Sequence, residues 1–296
     1  MKLLLLGGNG QVGRELRRSL APLGELVVAT RDGKDADVAA DFDAPASLAA
    51  VIAQVAPDVV VNAAAYTAVD KAEGDIEAAF RANAEAPAAI ADACAASGAL
   101  LVHYSTDYVF DGGASQPYRE DDATAPLGVY GASKLAGEDA IRASGARHVI
   151  LRTAWVYASH GRNFLLTMLR LANERDELRV VADQVGAPTS AAWIADATAD
   201  LILHGVTEAG TWHLVAAGQT SWHGFASAIM EDAHALGLLA RMPRVVPIAT
   251  AEFPTPAKRP AYSVLDTTQL REDFGIVPPA WRESLRATLR GLVRSA

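Results

Sequence analysis

The first thirteen residues constrain this chain more than any other stretch. MKLLLL is a strand-length apolar run that passes straight into GGNGQVG and then into VGRELRRSL, whose apolar spacing is helical. Gly8, Gly10 and Gly13 satisfy Gly-x-Gly-x-x-Gly, and Gly7, Gly10 and Gly13 satisfy Gly-x-x-Gly-x-x-Gly. Glycines let the backbone take turn conformations closed to other residues and approach a pyrophosphate closely, while a helix N-terminus offers free N–H groups and the positive end of its dipole. The turn, with Gln11 and Val12 between its last two glycines, is therefore expected to hold a nucleotide phosphate. It is not a P-loop, because no Lys-Ser/Thr pair follows the final glycine.

The same strand-then-helix pattern recurs down the first half of the chain. Nearly continuous apolar runs at 2–6, 26–30, 59–62, 100–105 and 148–152 read as strands covered on both faces, and helical periodicity fills 12–20, 47–56, 85–96 and 130–143. Gly24 and Gly98 stand where helices should end. This succession predicts an α/β fold, a Rossmann-type doubly wound parallel sheet. Beyond Trp155 the alternation loosens into helices at 163–174, 191–204 and 225–236 among polar and glycine-rich loops, which predicts a smaller C-terminal α/β substrate domain. The expected division is a dinucleotide-binding domain over 1–154, with helix 191–204 and strand 211–215 as candidates to join it, and a mainly substrate-binding domain over 155–296. AEFPTPAKRPAYS, with three prolines, reads as an ordered irregular loop or a linker, and its two basic residues favour a loop facing a ligand.

Composition narrows the partners. A formal net charge of -9 and a pI of about 5.3 argue against a nucleic-acid or anionic-membrane surface. No apolar run reaches the length of a membrane span, and the opening lacks the features of a signal peptide, so the chain reads as cytoplasmic. Cys94 is the only cysteine and sits in IADACAASGA, where it is expected as a buried apolar residue. The seven histidines are scattered, and His103, His148 and His213 lie in or beside apolar strands as structural imidazoles.

Two segments carry the chemistry. In VYGASKLAGE, Tyr130 and Lys134 are about one helical turn apart, so an ammonium can lower the pKa of the phenol and make it a proton donor near neutrality. Upstream, Ser105 and Thr106 end the apolar strand LLVHY at the edge where open parallel sheets collect ligands, placing a hydroxyl to orient a substrate carbonyl. For the cofactor, Thr30 and Arg31 at the end of the second strand lean towards the 2'-phosphate of NADPH, although Asp32 keeps NADH open. Asp41 and Phe42 are placed to flank the adenine, and the small residues Ala63, Ala64 and Ala65 let a cofactor lie against the backbone.

Taken together, GGNGQVG, VVNAAAYTAVDKAE, VHYSTDYVFDG, VYGASKLAGE, LRTAWVY and DQVGAPT resemble the dTDP-4-dehydrorhamnose reductases, members of the extended short-chain dehydrogenase/reductase family, over nearly the whole chain. The glycine turn and Tyr-x-x-x-Lys specify only the superfamily, whereas the other segments are more specific. The resemblance implies an NAD(P)H-dependent oxidoreductase that reduces C4 of a 4-keto sugar nucleotide, with Tyr130 as proton donor, Lys134 holding the nicotinamide ribose and Thr106 bonding the reacting oxygen. It implies substrate contacts for Asp107 and Trp155 and a sugar-facing loop containing Val69 and Asp70. Arg259 is added from its own chemistry, since a fork of donors suits two phosphate oxygens. Some relatives pair as dimers through carboxylates around Mg2+; Glu15 matches one of these, but Ala192 stands where a Glu is expected, so the Mg2+ bridge is doubtful and a homodimer stays open. Asp107 is followed by Tyr108 and not by Glu, so the acid pair of the dehydratases is missing. Another nucleotide-sugar enzyme such as an epimerase, or a non-catalytic NADP-binding regulatory subunit, are the alternative readings.

Overall fold

The computed structural model describes residues 1–295 and builds the first unit around one sheet. Its order of elements is β1 (Lys2–Leu6), α1 (Gln11–Leu20), β2 (Glu25–Thr30), β3 (Val38–Ala39), α2 (Leu48–Val55), β4 (Val59–Asn62), α3 (Val69–Ala72), α4 (Ile76–Phe80), α5 (Ala86–Ser97), β5 (Leu100–Thr106), α6 (Val129–Ala143) and β6 (His148–Thr153). The chain continues through β7 (Val156–Tyr157), α7 (Phe164–Glu174), β8 (Glu177–Val181), β9 (Val185–Gly186), β10 (Thr189–Ser190), α8 (Ala191–His204), β11 (Gly210–His213), β12 (Thr220–Ser221), α9 (Trp222–Ala235), β13 (Arg244–Ile248), α10 (Thr268–Phe274) and α11 (Trp281–Ser295). Seven strands in the order β11-β6-β5-β4-β1-β2-β3 form one sheet, every neighbour parallel. The strand order reverses at β1, which lies between β2 and β4, and ligands of such sheets settle at the carboxyl ends there.

Both faces of the sheet are covered, which is why its strands read as unbroken apolar runs. On one face Leu3, Leu5, Val61 and Val102 pack with Leu16 and Leu20 of α1 and with Ile194, Ala195 and Leu201 of α8. On the other, Leu4, Leu6, Val60 and Leu101 pack with Ile52 of α2, with Ile90 and Cys94 of α5, and with Ile141 of α6. Cys94 is fully buried there, and burial pushes its thiol up to about 12. The helix at 191–204 and β11 are thus part of the large sheet's layers, although they come after the first departure from it. The strand expected at 211–215 spans Gly210–His213 instead.

A second, smaller core lies beyond the sheet. The parallel pair β8 and β13 packs against α7 and α9, with Leu178, Val180, Leu165, Phe225 and Ile229 inside and Leu285 and Leu289 of α11 completing it. Ala296, the last residue of the expected substrate domain, lies outside the described residues.

Candidate active site

The glycine turn is built to admit a ligand at its edge and nothing in its middle. Gly7 has φ +81°, and a Cβ there would sit 2.7 Å from the Ala64 backbone nitrogen; a Cβ on Gly13 would sit 2.1 Å from the Gly7 carbonyl oxygen. The turn is therefore pressed against α1 and the Ala63–Ala64 stretch after β4. Gly10 is exposed and gives α1 no side-chain cap, so the helix N-terminus, with Gln11 partly exposed, is left for an anion. Val12, also partly exposed, packs against the large core behind it. Arg17 braces the arrangement by donating from Nε to the Gly8 carbonyl and from Nη2 to the Asp35 carbonyl, both at 2.7 Å.

The remaining cofactor candidates divide. Arg31, at the end of β2, is exposed and lies 3.8 Å from Asp43. Asp32, its rival as the ribose reader, is ion-paired with Lys34 at 2.7 Å. Ala63 and Ala64 are partly buried and Ala65 is exposed. Asp41 is partly exposed and accepts from the Asp43 amide, but Phe42 is 6 % exposed and packs with Leu4, Leu6 and Leu48. Phe42 is thus anchored at the rim of the core, next to the partly exposed Asp41.

The catalytic candidates converge at the ends of β5 and α6. Thr106 closes β5 and its hydroxyl accepts from the Tyr108 amide at 3.2 Å while donating to Asp107 Oδ1 at 3.0 Å. Asp107 is 1 % exposed, its Oδ2 has no hydrogen-bond partner, and burial pushes its carboxyl up to about 6, with the Ser263 and Thr106 hydroxyls pulling the other way. Tyr130 stands in the first turn of α6, edge-on to Tyr108 with ring centroids 5.6 Å apart. The residue is half-buried, and burial of the hydroxyl raises the phenol above its usual range, opposed by the Thr106 hydroxyl beside it.

Lys134 departs from expectation. Its side chain is buried, and Nζ donates to the Tyr104 carbonyl at 2.6 Å and lies 3.2 Å from His103 Nε2, with no bond to Tyr130. Burial lowers the amine to about 8, with Glu138 acting in the opposite direction. The expected depression of the phenol by a neighbouring ammonium is therefore absent in this structure, because the lysine faces the sheet.

Several residues that sequence reasoning missed hold the site together. A π-helical segment, Arg81–Glu85, links α4 to α5 and carries the fully buried Asn83. Asn83 accepts from the Tyr66 amide at 2.8 Å and donates to the Tyr66 carbonyl and the Ser133 hydroxyl, each at 3.0 Å; Ser133 donates in turn to the Tyr130 carbonyl at 2.8 Å. Glu73 accepts from the Val129 amide at 2.9 Å, an anion at the positive end of α6. An asparagine inside an apolar helical pattern was the one available signal.

The substrate candidates come from both cores. Val69 and Asp70 open the short helix α3 and do not lie in a loop. Asp70 is ion-paired with Arg259 at 2.7 Å and accepts from the Ala257 amide at 3.3 Å, and Arg259 also donates to the Tyr108 hydroxyl at 3.1 Å. Arg259 thus sits beside the site, but its fork is already engaged. Trp155 follows β6 with φ +48°, a conformation costly for a bulky side chain, and stacks on Trp222 with centroids 3.6 Å apart. Gln11 reaches the same region by accepting from Asn163 at 2.9 Å.

The two positions that bear on a Mg2+ bridge are Glu15 and Ala192. Glu15 lies 2.8 Å from His160 Nε2, Ala192 offers no ligand, and no group of three His, Cys, Asp or Glu able to hold a metal occurs among the described residues. A cavity of about 470 Å³, lined by Glu15, Ala192, Trp193 and Glu283, includes none of Thr106, Tyr130 and Lys134.

A doubly wound parallel sheet, a glycine turn at its switch point and a Thr–Tyr–Lys set at the neighbouring strand end define the class of short-chain dehydrogenase/reductases. Within it, the model described as "RmlD substrate binding domain" matches residues 1–294, and the chain belongs to that family. It is 50% identical to the dTDP-4-dehydrorhamnose reductase of Burkholderia thailandensis, covering 99% of each chain. Two solved structures are close to it. A dTDP-4-dehydrorhamnose reductase from Clostridium acetobutylicum has a TM-score of 0.91 at 38% identity, covering 99% of this chain and 100% of that one. One from Bacillus anthracis, in complex with NADP, has a TM-score of 0.90 at 34% identity, covering 98% and 99%.

Proposed function

We propose that this chain reduces the C4 keto group of dTDP-4-dehydro-L-rhamnose to dTDP-L-rhamnose with a reduced nicotinamide dinucleotide. The observation that carries it is the Thr106 hydroxyl beside the Tyr130 phenol, at the carboxyl end of β5 in the same parallel sheet whose β1 runs into the Gly7–Gly13 turn. In this reading residues 1–154, with α8 and β11, bind the dinucleotide, and residues mainly from 155 onward hold the nucleotide sugar. The location is cytoplasmic; no helix among the described residues is long and apolar enough to cross a membrane.

The residues present fit a dinucleotide: the uncapped N-terminus of α1 would receive its phosphates, the Ala63–Ala65 stretch would lie along its backbone-hugging part, and Tyr130 with Lys134 would hold the nicotinamide ribose. Arg31, exposed at the end of β2 while Asp32 is paired away, supports NADPH as the preferred form. A bound dinucleotide of this kind supplies the hydride.

The chain's own contribution is a proton and a place for the oxygen. Burial keeps the Tyr130 phenol protonated, which is the form needed by a group that gives a proton to an alkoxide. Thr106 stands next to it, and its hydroxyl, now held by Asp107, is the group to bond the reacting oxygen. Trp155, Val69 and Asp70 are the sugar-facing residues, and Arg259 is the candidate for the diphosphate once Asp70 releases it. NADPH oxidation, followed by nicotinamide absorbance on adding freshly generated dTDP-4-dehydro-L-rhamnose, tests the reading. Rapid oxidation is expected; bound NADPH without turnover would favour a regulatory binder.

A further inference from the structure

Four groups in a row at the base of Lys134 have their hydrogen-bond directions set from one end. The Ala64 amide can only donate, and it does so to Asn62 Oδ1 at 3.1 Å. The face that Asn62 turns to His103 is therefore its NH2, 3.0 Å from Nδ1, and Nδ1 must accept. A neutral imidazole then carries its proton on Nε2, which lies 3.2 Å from Lys134 Nζ. An ammonium there would set one N–H against another, whereas an amine has a lone pair to receive it. The amine's own hydrogen goes to the Tyr104 carbonyl.

We propose, resting on the reading that Lys134 serves the Tyr130 site, that Asn62 and His103 form a positioning pair that aims an N–H at Lys134 Nζ, so that this group gives up its third proton more readily than a free lysine does. His103 is completely buried and, through burial first and Lys134 second, held well below its usual range, so imidazolium does not offer a second solution. The other charge facing Nζ is Glu138, one turn along α6, and it favours the ammonium. That carboxylate is clasped by Arg152 of β6 at 3.0 and 2.8 Å and by Arg142 at 2.6 Å, which blunts its pull. Asn83, from the π-helical segment, is spent on Tyr66 and Ser133.

The test is nuclear magnetic resonance on the intact protein, free and with NADPH, reading the imidazole nitrogens of His103 and the Lys134 side chain against pH. The free protein should show a neutral His103 with its proton on Nε2, and Lys134 titrating well below its reference of about 10.4. Asn62→Asp keeps the acceptor for Ala64 but offers His103 a second acceptor. It should move the proton to Nδ1, turn Nε2 into an acceptor, and raise the Lys134 titration by about one pH unit or more, with the alkaline limb of kcat following it. If that variant does not fold, His103→Gln brings an amide oxygen to Nζ and should raise the same titration. A proton on Nδ1 in the wild-type protein, or a Lys134 titration unmoved in the folded variants, overturns the proposal. These resonances require no turnover, so a protein that shows them but fails to oxidise NADPH contradicts the proposed function alone.

Discussion

At the scale of single residues, burial decides more than pairing does. Asp107 holds its proton to about pH 6 in the folded state against an ordinary value of 3.8. Between those values the native state binds the extra proton, so this group's contribution to stability falls as pH rises through that window and is level above it. Asp107→Asn keeps the acceptor for Thr106 and removes the charge, so the variant should gain on wild type by up to about 3 kcal/mol between pH 4 and 7. Urea midpoints of both proteins at the two pH values check this, and a constant difference would mean that Asp107 is not perturbed. Arg31→Ala should weaken NADPH much more than NADH, because only the former carries the phosphate that a guanidinium would bind; titration of both cofactors reads the difference, and equal losses would remove Arg31 from that role. Tyr130, Lys134 and Thr106 could be named as candidates because each sits in a contiguous motif. The direction in which Lys134 points was not, since it depends on Asn62 and His103, whose contacts cross strands and leave no spacing in the sequence.

At the scale of elements, the legible parts are those whose environment is uniform. β1, β4, β5 and β6 are buried on both faces, and their apolar runs announced them to within a residue or two. β8 and β13 went unseen because ELRVV and RVVPI mix exposed charges with apolar residues in a pair that has only one covered face. α11 is amphipathic and was overlooked beside the louder alternation of the first half, and the π-helical turn around Asn83 has no sequence period of its own. The glycine turn joins element to element. Gly13→Ala would drive a methyl into the Gly7 carbonyl, so it should cost about 1–3 kcal/mol of stability and most of the dinucleotide affinity. Denaturation and cofactor titration measure the two effects, and a variant that binds NADPH normally would show that the contact between α1 and the turn is slack.

At the scale of the whole molecule, the candidate site lies where two cores meet. Trp155 leaves the sheet and stacks on Trp222 of α9, Asn163 reaches Gln11 in the glycine turn, and Arg259 crosses from the proline-rich loop to Asp70 and Tyr108. Arg259→Ala should therefore lower global stability by less than about 1 kcal/mol, as expected of a partly exposed pair, while raising KM for the nucleotide sugar more than it lowers kcat. Steady-state kinetics together with thermal unfolding separate these outcomes, and an unchanged KM would remove Arg259 from the substrate's path. The central claim, that Tyr130 gives the proton in a carbonyl reduction, is tested most directly by single-turnover oxidation of bound NADPH by dTDP-4-dehydro-L-rhamnose in wild type and Tyr130→Phe. With NADPH affinity preserved, the variant is predicted to lose at least about a hundredfold in rate, the scale of general acid catalysis; a rate near that of wild type would contradict the account.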